Sequence, residues 1–202
     1  MKTALPLLFL WIFYACNSEK QKIQNDVPIL SISESFNQGK STTPKHYFYG
    51  ILSEIIEIDL LHREIEMLDE QNGDQSHIDS RIDSCQIRIR RTKKTLKYYS
   101  EKKWSHHSEF QSLTRQWLKQ MDVVLEKLKP LSNPFSRADS SWTQRDYQLF
   151  DFYSTALDSL TVIDHKWVNF QYDYANANSF KLDTGSIIDV TELAKKDLLK
   201  SQ

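Results

Sequence analysis

The chain has 202 residues, with 26 Lys+Arg against 27 Asp+Glu and a formal net charge of -1, which removes any global electrostatic case for nucleic acid as a partner. Hydrophobic residues at 40% and charged residues at 26% exclude wholesale disorder. Four Gly and five Pro, where average usage would give about fourteen and ten, exclude many-turned β folds and glycine-rich phosphate loops and favour long helices.

The chain opens MKTALPLLFLWIFYAC. Lys2 supplies a positive start, and the apolar stretch from Ala4 to Tyr14 carries no charge. It is roughly 11 residues long, whereas a helix needs about 20 to span a bilayer. It closes on Phe13-Tyr14-Ala15-Cys16, a small residue followed at once by cysteine. This resembles the signal peptide of bacterial lipoproteins, with aromatic residues where the commonest lipobox carries Leu. The resemblance implies cleavage after Ala15, lipidation of Cys16 and attachment to the cell envelope through acyl chains, each buried CH₂ contributing about 0.8 kcal/mol. Asn17 follows in place of the Asp that retains enterobacterial lipoproteins at the inner membrane, so the resemblance points to the outer membrane. With Cys16 lipidated, Cys85 is the one remaining thiol.

Residues 16–43 are rich in Ser, Asn, Gln and Lys and read as the lipidated N-terminus and a flexible tether, with an r.m.s. reach of roughly 25–30 Å. The patch Val27-Pro28-Ile29-Leu30 with Ile32 is the part able to dock on a domain surface.

Four amphipathic segments follow. The first starts at Pro44 after Thr43 as N-cap and carries Tyr47, Ile51, Ile55, Ile58, Leu61, Ile65 and Leu68 three and four apart. It stops at Gln71-Asn72-Gly73-Asp74, a turn signal. The second opens at Ser76, with Asp79 completing an acidic capping box, and runs through Ile78, Ile82, Cys85, Ile89, Thr92, Leu96 and Tyr99. The third follows Ser105 or Ser108, carries Phe110, Leu113, Trp117, Met121, Val124 and Leu128, and ends at Pro130. The fourth opens on Ser141 and Gln144 as a capping box and keeps helical spacing from Leu149 through Tyr153, Ala156, Leu160, Ile163, Trp167 and Phe170 to Tyr174. At about 1.5 Å per residue it reaches roughly 54 Å, longer than the other three.

Charge supports pairing of neighbours. The first segment carries Glu54, Glu57, Asp59, Glu64, Glu66, Asp69 and Glu70 against Lys45 and Arg63. The second carries Arg81, Arg88, Arg90, Arg91, Lys93, Lys94, Lys97, Lys102 and Lys103 against Asp79, Asp83 and Glu101. Short loops make consecutive helices antiparallel neighbours. The expected fold is all-α: an antiparallel up-down four-helix bundle over 44–178, with a long fourth helix. A tail at 179–202 would contribute a short C-terminal helix packed on or beside the bundle.

Chemistry-bearing constellations are sparse. Asp59-x-x-His62 approaches the carboxylate-histidine spacing of di-iron bundles, and Glu54 projects near the same seam, so Glu54, Asp59 and His62 are the candidates for an internal metal or small ligand. One histidine does not close such a site, and no cofactor is expected. Asp164-His165 falls off the fourth seam and reads as solvated, while Cys85 reads as a small buried hydrophobe. Arg88, Arg90, Arg91, Lys93 and Lys94 are candidates for contact with anionic head groups, but a solvated face complementary to its acidic neighbours is the favoured reading of this run. Phe150, Phe152 and Tyr172 lie off the seam, where tether and tail are expected to cover them. No nucleophile elbow, haem-attachment motif or phosphate loop is present. The sequence therefore reads as a lipid-anchored envelope bundle, not an enzyme, that binds an envelope protein or component.

Overall fold

In the computed structural model, residues 32–71, 74–131, 134 and 141–182 are described below. Their regular elements are all helical: α1 (Ile32–Asn37), α2 (Pro44–Glu70), α3 (Gln75–Thr95), a 3₁₀ turn at Leu96–Tyr99, α4 (His107–Leu128) and α5 (Gln144–Ala177). Cys16, the Val27 to Leu30 patch and the expected closing helix of the tail lie outside the described residues.

The ends of these helices show which local signals were used. Extended Thr43 caps α2 by accepting from the His46 N–H at 3.2 Å, and Pro44 fills the first turn. The N-cap of the second long helix lies two residues earlier than expected. It is Asp74, whose carboxylate accepts from the Ser76 N–H at 3.1 Å and its hydroxyl at 2.8 Å, while Asp79 is bonded by Gln75 instead. In α5 the capping box is likewise Thr143 with Asp146, in place of Ser141 with Gln144: the Thr143 N–H donates to Asp146 at 2.8 Å and the Asp146 N–H to Thr143 at 3.3 Å. The carboxylate near the helix N-terminus also favours the macrodipole.

α5 ends in a Schellman arrangement. Ser179 takes a left-handed φ of 58°, its N–H bonds the Asn176 carbonyl, and the Phe180 N–H reaches back to Ala175. The Phe180 ring meets Tyr174 at 6.2 Å, the apolar contact that accompanies the motif. His106, directly before α4, also takes a left-handed φ of 55° and makes no side-chain cap bond.

The main correction concerns residues 32–43, expected as tether. They hold α1 and its turn, and Phe36 is 0% exposed. Its ring stacks on Tyr99 at 5.5 Å, and the Tyr99 hydroxyl donates to the Phe36 carbonyl at 3.0 Å. The same hydroxyl accepts from the Ser41 N–H at 3.0 Å. Gly50 permits the approach: a Cβ there would lie 2.4 Å from the Phe36 Cβ.

The backbones of α2 and α3, and of α4 and α5, run close together over long stretches, with α3 nearing α4 more briefly. Across α2 and α3, Ile58 faces Cys85, Glu54 faces Arg88 and Arg91, and Glu64 faces Arg81. Across α4 and α5, Trp117 meets Asp164 and Thr114 meets Trp167. α2 and α5 meet through longer side chains, Phe48 on Tyr174 and His62 with Tyr153. The expected seams are largely buried, but Leu61, Leu68, Leu113, Leu149, Ile163 and Phe170 are only half-buried. One end of the core is aromatic (Phe36, Tyr47, Phe48, Tyr99, Phe110, Tyr174); the other is aliphatic, with Ile65, Ile78, Ile82, Leu128 and Leu131. No helix among the described residues is long and apolar enough to cross a membrane.

Candidate functional site

Two groups of buried polar residues have opposite electrostatics. The first is built on Glu54, which is 0% exposed. Its Oε1 accepts from the Ser33 hydroxyl at 2.7 Å and the Asn37 amide at 2.8 Å; its Oε2 accepts from Arg91 at 3.1 Å, Arg88 at 3.3 Å and Thr92 at 3.3 Å. Burial acts to raise its pKa, but the Ser33 and Asn37 bonds and the Arg88 charge outweigh it and hold the carboxyl below the usual range. The lone pairs are thus committed to α1 and α3, and the carboxylate serves as a junction among three helices.

The second group runs along the α2–α5 side. His62 is buried, and its Nε2 lies 3.3 Å from the Tyr153 hydroxyl, which donates to Glu66 at 3.2 Å. Burial, seconded by Arg63, pushes His62 down to about 4, so the ring is neutral. Asp59 is gripped by Arg63 at 2.8 Å, yet burial raises it to about 6. Burial raises Glu66 to about 7 despite the Tyr153 bond. Asp164, expected to be solvated, is 4% exposed; it accepts from the Trp117 indole at 3.0 Å, and burial raises it to about 6. Its other oxygen has no hydrogen-bond partner among the described residues.

The three residues proposed for an internal ligand are therefore not brought together. Glu54 faces α1 and α3, Asp59 faces Arg63, and His62 faces Tyr153. Among the described residues no group of three His, Cys, Asp or Glu is arranged to hold a metal. Cys85 is buried, its thiol donating to the Ile58 carbonyl at 3.6 Å, and burial pushes it up to about 12. Only a thiolate is nucleophilic, so this cysteine is inert.

The basic face of α3 is divided between two neighbours. Arg88 pairs with Glu54 and Glu57, Arg91 with Glu54, and Arg81 with Glu64, all toward α2. Arg90, Lys93, Lys94 and Lys97 instead line an open groove of about 340 Å³ with Arg115 of α4. The five head-group candidates thus separate: Arg90, Lys93 and Lys94 face this groove, whereas Arg88 and Arg91 are engaged by Glu54. Sequence reading missed Arg115, because nothing in the linear order couples position 115 to position 93. It also missed the burial of Asp164, for which Trp117 is the partner. Of the off-seam aromatics, Phe150 is half-buried against Trp142 and Tyr153. Phe152 and Tyr172 stand out in solvent, 58% and 48% exposed.

Comparison with protein families, with curated proteins and with solved structures finds no match for this chain.

Proposed function

We propose that the chain is a lipid-anchored cell-envelope protein, attached through Cys16, whose helices form an antiparallel up-down bundle acting as a non-enzymatic binding or interaction module. The observation that carries the address is Phe13-Tyr14-Ala15-Cys16 closing a short apolar stretch behind Lys2. Descending partner numbers support the antiparallel arrangement: Glu54, Ile58 and Glu64 face Arg91, Cys85 and Arg81, and Thr114 and Trp117 face Trp167 and Asp164. Interaction chemistry is favoured over catalysis because Glu54, a buried carboxylate held in its ionised form, spends its oxygens on Ser33, Asn37, Thr92, Arg88 and Arg91. A substrate would have to break bonds that hold three helices together.

Metabolic labelling with a fatty-acid analogue tests the anchor. Label is expected on the wild type and lost in Cys16→Ala; label persisting in that variant, or absent from the wild type, overturns the reading. Metal analysis of the purified protein tests the module. Stoichiometric iron, zinc or copper that disappears in His62→Ala would replace it with an internal metal site at Glu54, Asp59 and His62.

A further inference from the structure

The charge on α3 is not explained by its acidic neighbour alone. The α2 side is compensated, carboxylate for guanidinium, as described above. On the α4 side, Arg90, Lys94 and Lys97 are exposed and make no ion pair among the described residues. Lys93 alone has one, with Asp122 at 2.9 Å. Arg90, Lys93, Lys94 and Lys97 are spaced three and four apart, the separations at which like charges repel on a helix surface. The macrodipole favours Lys93 and Lys94 in the last turn of α3. It does not account for Arg115, which lies in the middle of α4 and adds a fifth cation from the opposite wall. Its guanidinium is held by the Gln111 side chain, one turn back, at 3.2 Å.

We infer that this groove between α3 and α4 binds a ligand carrying clustered phosphates. Five cations on two walls suit more than one phosphate oxygen set: arginine offers a planar fork and lysine a mobile point charge. The volume falls at the low end of ligand-sized sites, which run from about 300 to 1,000 Å³. Bound phosphate would neutralise the repulsion that Asp122 relieves only at Lys93. The same chemistry is offered by a soluble polyphosphorylated compound and by lipid head groups at a membrane surface. The inference does not depend on lipidation of Cys16, so the labelling experiment and the one below fail separately.

The test uses the full chain in two arms. In the first, tripolyphosphate is titrated calorimetrically into the wild type, the triple variant Arg90→Gln/Lys94→Gln/Lys97→Gln, the single variant Arg115→Gln, and a control, Lys45→Gln/Arg145→Gln/Lys166→Gln. The control removes equal charge from exposed positions outside the groove. Saturable, salt-sensitive binding is expected, weakened about tenfold in the triple variant, weakened in Arg115→Gln and unchanged in the control. The second arm floats the same proteins with phosphatidylcholine vesicles containing or lacking phosphatidylglycerol, so that the apolar N-terminus contributes equally throughout. A groove-dependent loss in the first arm alone assigns a soluble phosphate compound; a loss in the second alone or in both assigns head groups. No difference between triple variant and control in either arm overturns the inference. So does binding that ignores Arg115, which would reduce the site to a charged stripe on one helix.

Discussion

Glu54 and Asp164 are both carboxylates with almost no exposure, and the protein treats them oppositely. Glu54 has two cations and three neutral donors, so its ionised form is the favoured one. Asp164 has one indole N–H and an unpartnered oxygen, and burial lifts it to about 6. A carboxyl raised above its unfolded value keeps its proton in the folded state while the unfolded chain has already lost it. Its contribution is therefore full below the unfolded pKa and is lost as pH rises to about 6. Asp164→Asn removes that loss while still accepting from Trp117. In urea unfolding, the stability difference between variant and wild type should shift in the variant's favour by roughly 1–3 kcal/mol between about pH 4 and about pH 7.5. A difference independent of pH would show that Asp164 is not the titrating group.

At the scale of elements, α1 turns a segment that composition assigns to a tether into part of the fold. Six residues are too few for a stable isolated helix, so its order comes from Phe36 against Tyr99 and from Ser33 and Asn37 on Glu54. Gly50 decides whether it can dock. In an ordinary helix interior, Gly→Ala stabilises by about 1 kcal/mol. At Gly50 the new methyl would strike the root of the Phe36 side chain, so Gly50→Ala should destabilise by about 1–3 kcal/mol. Phe36→Ala alone also destabilises, by about 3–5 kcal/mol, the range for emptying a buried phenylalanine site. In the Phe36→Ala background the Gly50→Ala penalty should largely vanish. Additive effects in the double-mutant cycle would mean that Gly50 and Phe36 are not in contact.

At the scale of the whole molecule, the buried titratable groups combine into a single pH response. Asp59, Glu66 and Asp164 are raised to about 6, 7 and 6, so each lowers stability as pH rises from its unfolded value. His62, lowered to about 4, acts in reverse: the unfolded chain takes up a proton below about 6.5 that the folded chain refuses, and stability falls with it. Glu54, lowered, loses its contribution in acid. His107, also lowered by burial, acts with His62. Three carboxyls against two histidines still make stability fall from about pH 4.5 to about pH 7.5, which places the optimum at the acid end, near or below about pH 4, where Glu54 begins to lose its contribution. A urea midpoint climbing steadily across that range would contradict the balance.

Local patterns were legible because they need no partner to be recognised. The 3.6-residue period marked the buried faces of the four long helices, the scarcity of Gly and Pro marked their length, and Cys85 read correctly as a small hydrophobe. Caps were legible only to within a few residues, since Thr43 was identified whereas Asp74 and Thr143 compete with nearby Ser76 and Ser141 for the same role. Which face of one helix meets which face of another is set by packing across more than twenty residues of chain, and that information is not periodic. Tertiary structure alone therefore decided that α1 docks, that Glu54 draws Arg88 and Arg91 away from the other cations, and that Trp117 takes Asp164 inside. It alone brought Arg115 opposite Arg90, Lys93, Lys94 and Lys97. The sequence by itself determined an all-helical chain with oppositely charged helices. How that charge is shared, neutralised toward α2 and left in excess toward α4, follows from side chains converging in space.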